Sequence, residues 1–180
     1  QFYTYASVQA RYGFKWNETK YKSSFLVPLQ LQRFDLLSTT PAFDLILQDD
    51  PQLAQKFQTT FVLGSTYEYE YNRKDKFNPI NQIYFKGAFE SAGNLLSGAL
   101  RLFSSNPSST IFGTPYAQYV RLTLDFRKYW ALNVGSIASR FVAGTAYAYG
   151  NSTEVPFAKQ YSVGGANDLR AFQLRTIGPG

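Results

Sequence analysis

The chain has 180 residues, a formal net charge of +6, and neither Cys nor His. Its length is sufficient for one domain with a substantial core. The absence of Cys excludes disulfides and thiolate metal sites, and the absence of His removes the usual catalytic triads, His-based zinc sites and the common general base near neutral pH.

The predicted elements follow from alternation of apolar and polar residues, which indicates about six β-strands. In chain order the strands span 2–16, 22–34, 59–72, 80–91, 116–129 and 135–149. The second strand contains Pro28, which indicates an edge or a bulge, because proline cannot donate a hydrogen bond to a neighbouring strand. Thr40-Pro41 and Asp50-Pro51 predict two short helical turns, at 41–48 and 51–57. A further helical turn is expected near 95–103.

The connections between these strands alternate in length. Short turns are predicted at 17–21, 73–79 and 130–134, and long connections at 36–58, 92–115 and 150–180. Bacterial outer-membrane barrels combine short periplasmic turns with long extracellular loops. Spanning strands need only about 9–11 residues, with an apolar residue at every second position. No window of about 18 consecutive apolar residues predicts a transmembrane helix.

Each predicted strand has one apolar and one polar side. Phe25, Val27, Leu29 and Leu31 are predicted to share the apolar side of the second strand. Charged residues recur opposite the apolar ones, at Arg11, Glu68, Glu70, Lys86, Glu90, Arg121, Asp125, Arg127 and Arg140. Aromatic residues gather at strand ends, at Phe14, Trp16, Tyr21, Tyr69, Tyr71, Tyr129, Trp130, Tyr147 and Tyr149. Charges of both signs suit a hydrated lumen, and terminal aromatics suit a membrane interface.

These patterns predict an all-β fold, an antiparallel transmembrane β-barrel with short helical turns in its extracellular loops. The alternative is the core of a soluble sandwich or barrel. A closed bacterial barrel has an even number of strands, eight or more. We therefore expect residues 1–180 to form part of a larger barrel, about six strands plus an inward-folded loop at 150–180, without a second domain. The chain starts without Met, and we interpret it as part of a longer protein with further strands on its C-terminal side.

The last segment contains the most specific motif. It reads Tyr161-Ser162-Val163-Gly164-Gly165-Ala166-Asn167-Asp168-Leu169-Arg170-Ala171-Phe172. The glycine pair permits a sharp reversal, and Asn167 and Asp168 suit a turn. Arg170 lies between apolar neighbours, and a buried arginine requires a carboxylate or carbonyl partner. The simpler alternative is an exposed loop with an unpaired arginine.

This motif resembles the signature loop of the BamA/TamA superfamily of outer-membrane assembly and translocation β-barrels (surface-antigen D15-like). The likeness is nearest to the TamA-like branch of Bacteroidota. The signature has the form aromatic–x–x–Gly-Gly–x–x–x–Val/Leu-Arg-Gly-aromatic. Ala171 departs from it by replacing the usual Gly, whereas Arg170 and Phe172 agree. Further resemblance lies at 61–64, 91–96, 116–121 and 178–180.

The resemblance implies a barrel of about 16 strands. It also implies that the loop, with Gly164, Gly165, Leu169, Arg170, Ala171 and Phe172, folds inside the barrel. Arg170 would pair with acidic residues of the inner wall, and the candidates in this chain are Glu68, Glu70, Glu90 and Asp125. Our reasoning does not choose between these four carboxylates.

The function implied is that of a bacterial outer-membrane factor that inserts or exports other proteins. It would use no cofactor and no metal, and would not be an enzyme. Its partners would be outer-membrane lipids, client outer-membrane proteins and other subunits of the assembly machinery. Lys and Arg form no run, which argues against nucleic acid. The alternatives are a passive outer-membrane pore or transporter and a soluble ligand-binding barrel.

Overall fold

Six long strands form a single antiparallel sheet. The computed structural model describes residues 3–49, 54, 57, 59–73, 82–103, 110–111, 113–162 and 171. The strands are β1 (Tyr3–Thr19), β2 (Lys22–Thr39), β3 (Thr60–Arg73), β4 (Gln82–Ala92), β5 (Thr110–Ile111), β6 (Thr114–Pro115), β7 (Tyr119–Leu132) and β8 (Gly135–Ala148), and the helices are α1 (Pro41–Asp49) and α2 (Asn94–Phe103). The order in the main sheet is β1-β2-β3-β4-β7-β8. The predicted all-β fold is confirmed.

The strands of the main sheet are long. They range from 11 residues in β4 to 18 in β2, whereas about 9–11 tilted residues suffice to cross a membrane. Several extend beyond their predicted ends. The turns predicted at 17–21 and 130–134 shrink to residues 20–21 and 133–134, because two-residue hairpin turns allow the strands to stay paired up to the turn. β2 continues to Thr39, which pairs with Tyr3.

A bulge at Pro28 divides β2 into two halves. Leu26 is opposite Phe14 on β1, and the next outward residue, Leu29, is opposite Tyr12. Three residue steps along β2 therefore correspond to two steps along β1. The pairing with β3 shifts at the same place. The expectation of a bulge or an edge at this proline is confirmed as a bulge.

The bulge overturns one sequence-based prediction. Phe25 and Val27 do not share a face with Leu29 and Leu31. Phe25 is opposite Glu68, and Val27, which is fully buried, lies on the same side of the sheet. One extra residue reverses the side to which all later side chains point, so strict alternation across Pro28 gave the wrong face.

The helices lie in the long connections. α1 begins at Pro41 as predicted, and the amide groups of Phe43 and Asp44 donate to the Thr40 carbonyl. α2 occupies the second long connection, where a shorter helical turn was expected. Of the segment predicted as a helical turn at 51–57, the structure describes residues 54 and 57, and the others lie outside the described residues. Among the described residues, no helix is long and apolar enough to cross a membrane.

The three long connections meet at one end of the sheet. The Phe57 ring lies 5.2 Å from the Phe43 ring and 4.5 Å from the Phe157 ring, between centroids. This trio joins the connection after β2 to the segment after β8. The Tyr149 hydroxyl donates to Asn94 Oδ1 over 2.7 Å and so joins that segment to α2. The other end of the sheet carries the short turns at 20–21 and 133–134, and the turn predicted at 73–79 lies, apart from Arg73, outside the described residues.

The two faces of the sheet differ in chemistry. One side, here called the apolar face, carries large apolar side chains that are exposed, among them Val8, Tyr12, Phe14, Trp16, Leu26, Leu29, Leu31, Tyr67, Phe89, Leu122, Phe126, Ile137, Phe141 and Tyr147. The opposite side, here called the charged face, carries all the carboxylates and most of the cations in the described parts of β3, β4, β7 and β8. An exposed apolar area of this extent indicates contact with lipid or with another protein.

A small core lies on the charged face near the long connections. It consists of Phe34, Val62, Ala92, Ala117, Tyr119 and Val155, with Ala146 and Ala148 packed against it. Val155 comes from the segment after β8, whereas most of the others come from strands. The sequence analysis treated this side as uniformly polar, and that view is wrong at this end of the sheet.

Candidate functional site: the charged face and the segment that crosses it

Directly opposed residues form rows across β3, β4, β7 and β8. Among the rows that carry charge, the one nearest the long connections contains Thr66, Glu90, Arg121 and Ala146. Nearer the short turns follow a row with Glu70, Lys86, Asp125 and Val142, and a row with Asn72, Tyr84, Arg127 and Arg140. Because opposed residues of antiparallel strands lie on the same face, charges of both signs from different strands come together.

Asp125 holds two arginines. Its Oδ2 lies 2.6 Å from Arg127 Nη2 and 2.9 Å from Arg140 Nη2. Arg127 also donates through Nε to Oδ1 over 2.9 Å, so that this pair is bidentate. A bidentate carboxylate–guanidinium pair fixes geometry as well as charge. Asp125 thereby joins β7 to β8 on the charged face.

A second ion pair joins β3 to β4. Lys86 Nζ lies 2.8 Å from Glu68 Oε2, and both side chains are partly exposed. Nearby, the Arg11 guanidinium lies 5.5 Å from the centroid of the Phe25 ring. A cavity of about 290 Å³ is bordered by these residues together with Lys15 and Glu70. In the described part of the chain, Glu70 forms no ion pair within 4 Å.

Glu90 is the most buried acid of the charged face and holds the segment that follows β8. Its Oε1 accepts from Lys159 Nζ over 2.7 Å and from the Tyr119 hydroxyl over 2.7 Å. Arg121 Nη1 lies 3.8 Å from its Oε2. Glu90 and Lys159 are 9% and 8% exposed. Breaking such a buried pair by removing one partner costs about 3–5 kcal/mol, because the remaining charge is left unpaired.

Tyr161 extends this contact along the charged face. Its hydroxyl donates to the Leu122 carbonyl over 2.7 Å, and its ring lies 4.4 Å from the Arg121 guanidinium carbon. The ring occupies the space above Gly144, where a Cβ atom would lie 2.5 Å from the ring. Gly144 is thus the residue that lets an aromatic side chain lie flat against β8.

The start of the segment is held by a separate set of hydrogen bonds. Gln118 Oε1 accepts from the main-chain N–H of Asn151 over 2.9 Å, and the main-chain N–H of Gln118 donates to Ser152 Oγ over 2.8 Å. Asn151 Nδ2 donates to the Tyr116 carbonyl over 2.8 Å. Gly150 has φ +68°, which favours glycine, and permits the reversal after β8. Residues 149–162, here called the return segment, therefore fold back over the charged face.

The structure places Glu68, Glu70, Glu90 and Asp125 together on the charged face. Gly164, Gly165, Leu169, Arg170 and Phe172 lie outside the described residues, and Ala171 is described and exposed. The pairing of Arg170 with any of the four carboxylates stays a prediction.

Sequence reasoning missed Lys159 and Tyr161 as site residues. Tyr161 was named as the first residue of the motif but given no contact, and Lys159, which precedes the motif, was given no role. The spacing of two residues between a cation and an aromatic is too common to identify a contact. Their partners, Glu90 and Arg121, lie far away in the chain, so only the register of the sheet brings them together.

The contacts of the charged face are ion pairs and hydrogen bonds between groups of the same chain. Among the described residues, no group of three or more His, Cys, Asp or Glu side chains is arranged to hold a metal ion. Its acids mainly bind cations of the same chain. Such a network holds strands and a crossing segment in place.

The Omp85 superfamily domain matches residues 1–180, the entire chain. This chain belongs to the Omp85 superfamily. The superfamily relationship expected from the motif at 161–172 is therefore confirmed at this level. Omp85 proteins act in insertion or translocation of proteins at the outer membrane, and they are transport and assembly proteins, not enzymes. No curated protein gives a significant match to the chain.

Proposed function

We propose that this Omp85 domain is part of the transmembrane barrel of an outer-membrane factor that inserts or exports other proteins. It acts without a cofactor, through barrel strands and the loop inside them. The proposal rests on the superfamily relationship and on the two unlike faces of a sheet whose strands are long enough to span a bilayer.

In this proposal the apolar face contacts lipid and the charged face borders a hydrated lumen. Leu122, Phe126 and Phe141 are exposed on the first. On the second, Asp125 and Glu68 are each paired with cations across neighbouring strands. Mixed charges that pair across strands are suited to a watery interior, and exposed alternating apolar residues are suited to hydrocarbon.

The return segment directs the signature motif into the lumen. Lys159 and Tyr161 fix residues immediately before Gly164 against the charged face. From there Arg170 pairs with carboxylates of the inner wall, with Glu68, Glu70, Glu90 and Asp125 as candidates in this chain. Arg170 braces the wall and does not contact the client protein. Glu70 is the candidate that has no ion pair within the described residues.

The more specific parts of the proposal follow from the resemblance of the motif at 161–172. We infer a closed barrel of about 16 strands, in the TamA-like branch of Bacteroidota, with residues 1–180 supplying about six strands and the loop at 150–180. The membrane is the outer membrane of a Gram-negative bacterium. The partners are its lipids, client outer-membrane proteins and other subunits of the assembly machinery, and not nucleic acid.

The buried contact between Lys159 and Glu90 allows the proposal to be tested. We expect Lys159→Met in the full-length protein to remove the closest cation of the buried Glu90, leaving Arg121 at 3.8 Å, and to destabilise the folded barrel by up to about 3–5 kcal/mol. Samples are heated to different temperatures before electrophoresis on a gel that keeps the unheated barrel folded. The variant should convert from the folded to the unfolded form at a lower temperature than the parent protein. The amounts of other outer-membrane β-barrel proteins, measured by quantitative mass spectrometry of isolated outer membranes, should fall. Arg170→Glu should likewise lower the unfolding temperature of the barrel and the amounts of the other outer-membrane β-barrel proteins.

A matched control is Lys86→Met, which removes a lysine from a partly exposed pair that does not touch the return segment. Exposed pairs contribute about 0–1 kcal/mol, so this variant should assemble client proteins normally. Normal client levels with a destabilised Lys159→Met barrel would contradict the proposed function. The charged lumen favours a passive pore as the second candidate, and this pore predicts unchanged client levels with altered ion conductance in planar bilayers.

A further inference from the structure

Cations lie at the short-turn end of the apolar face. In the described parts of β3, β4, β7 and β8, the charged side chains on this face are Arg73 and Lys128. Both belong to one row, in which Ile83 is opposite each of them. Lys22 on β2 lies in the adjoining row, opposite Tyr71. Three cations therefore lie at the short-turn end of the apolar face, whereas the charged pair Arg33 and Asp35 lies at the opposite end of β2.

These cations lie close enough to act on one group of ligands. Neighbouring strands are about 4.8 Å apart, and diagonal neighbours on a face are about 7–8 Å apart. Lys22 and Arg73 are such diagonal neighbours, since Lys22 is opposite Tyr71 and Arg73 is two residues further along. Like charges at this spacing repel each other unless an anion lies between them.

No described carboxylate supplies that anion. Neither Lys22, Arg73 nor Lys128 forms an ion pair within 4 Å with an acid of the described residues. Glu18, at the end of β1, instead accepts a hydrogen bond from Ser24 over 2.8 Å. With respect to the described residues, the three cations are thus available to an external anion.

The neighbouring side chains fix the depth of this site in a membrane. The next row toward the middle of the apolar face contains Tyr71, Phe85, Phe126 and Phe141. Lys128 Nζ lies 5.0 Å from the centroid of the Trp130 ring. Trp and Tyr are enriched where hydrocarbon meets headgroups, and long cations extend toward the headgroups from this level.

We propose that Lys22, Arg73 and Lys128 bind the phosphates of phospholipid headgroups along this edge and prefer anionic phospholipids. The proposal rests on the proposed contact of the apolar face with lipid. A guanidinium binds phosphate through two parallel hydrogen bonds, and the ammonium groups add point charges. A phospholipid also covers the aromatic row with its acyl chains, which free phosphate cannot do. A preference of about 1 kcal/mol for an anionic lipid enriches that lipid roughly fivefold beside the site.

The test measures which lipid lies beside this edge. A bimane label on Ile137→Cys, which is opposite Trp130, reports lipids there in full-length protein reconstituted in mixed phosphatidylglycerol and phosphatidylcholine vesicles. The acyl chains of one lipid or the other are brominated so that they quench the label. We expect brominated phosphatidylglycerol to be enriched roughly fivefold at the label. The enrichment at this label should fall to about onefold in Arg73→Gln/Lys128→Gln, which leaves only Lys22 of the three cations, on β2 and four strands away from the label on β8.

The control variant Arg11→Gln/Lys15→Gln also removes one arginine and one lysine, but from the charged face. It should keep the preference for phosphatidylglycerol. Equal quenching by both lipids in the parent protein, or an unchanged preference in Arg73→Gln/Lys128→Gln, would overturn the inference. Loss of the preference on addition of inorganic phosphate to the buffer would also overturn it, since free phosphate would then be the ligand.

A second label separates this inference from the function on which it rests. Phe89 is exposed in the middle of the apolar face on β4. A label on Phe89→Cys that is quenched by either brominated lipid supports lipid contact of the apolar face, whatever the headgroup preference. A label there that neither lipid quenches would contradict the proposed function itself.

Discussion

At the scale of single residues, small side chains decide where the return segment lies. Gly144 leaves room for the Tyr161 ring, and Gly150 permits the reversal after β8. The polar contacts of Lys159 then fix the segment at a buried position. Each of these residues is unremarkable in the sequence, and its role depends on a partner that is distant along the chain.

Gly144→Ala tests this arrangement. A Cβ atom would lie 2.5 Å from the Tyr161 ring, so the ring must move away from Arg121 and from the Leu122 carbonyl. We expect a cost of about 1–3 kcal/mol and faster proteolysis of the return segment in detergent-solubilised full-length protein. Gly135→Ala is the control, since a Cβ atom there meets nothing within 4 Å. Equal proteolysis of the two variants would contradict the role of Gly144.

At the scale of elements, the bulge in β2 sets which residues face lipid. The extra residue at Pro28 brings both Leu26 and Leu29 to the apolar face, although they are three positions apart. Without the bulge, one half of β2 would present its polar residues to that face. The bulge therefore reconciles two halves of a strand whose apolar patterns are out of phase.

Deleting Pro28 should be tolerated, because the shortened strand alternates regularly and keeps Leu26 and Leu29 on the apolar face. Deleting Gln30 removes one residue from the same strand but turns Leu31 to the charged face and Gln32 to the apolar face. We expect the Pro28 deletion to yield a folded, heat-modifiable barrel on gels and the Gln30 deletion to be degraded. Equal assembly of both variants would show that the face assignment in β2 does not matter.

The sequence predicted the elements better than their contacts. β3 and β7 were located within a few residues, because their alternation is regular over many positions. The phase change in β2 was missed, because Pro28 indicated an edge or a bulge without showing that the apolar residues change phase there. The contact of Lys159 with Glu90 was also missed, because periodicity gives the face of a side chain but not the partner that a folded-back segment brings to it.

At the scale of the whole molecule, a single architecture accounts for both faces. Long antiparallel strands alternate between an exposed apolar side and a side where carboxylates bind cations. The three long connections meet at one end, and the return segment starts there and crosses the charged face. The arrangement suits a wall between lipid and water with a loop held on the watery side.

The contact of the apolar face with lipid is the claim on which the function and the headgroup site both depend. It is tested by nitroxide labels placed one at a time at positions 121 to 127 of β7 in the reconstituted full-length protein. Relaxation by oxygen, which partitions into hydrocarbon, should peak at Leu122, Leu124 and Phe126, and relaxation by a water-soluble nickel chelate at the positions between them. The reverse pattern, or no alternation with a period of two, would contradict the account.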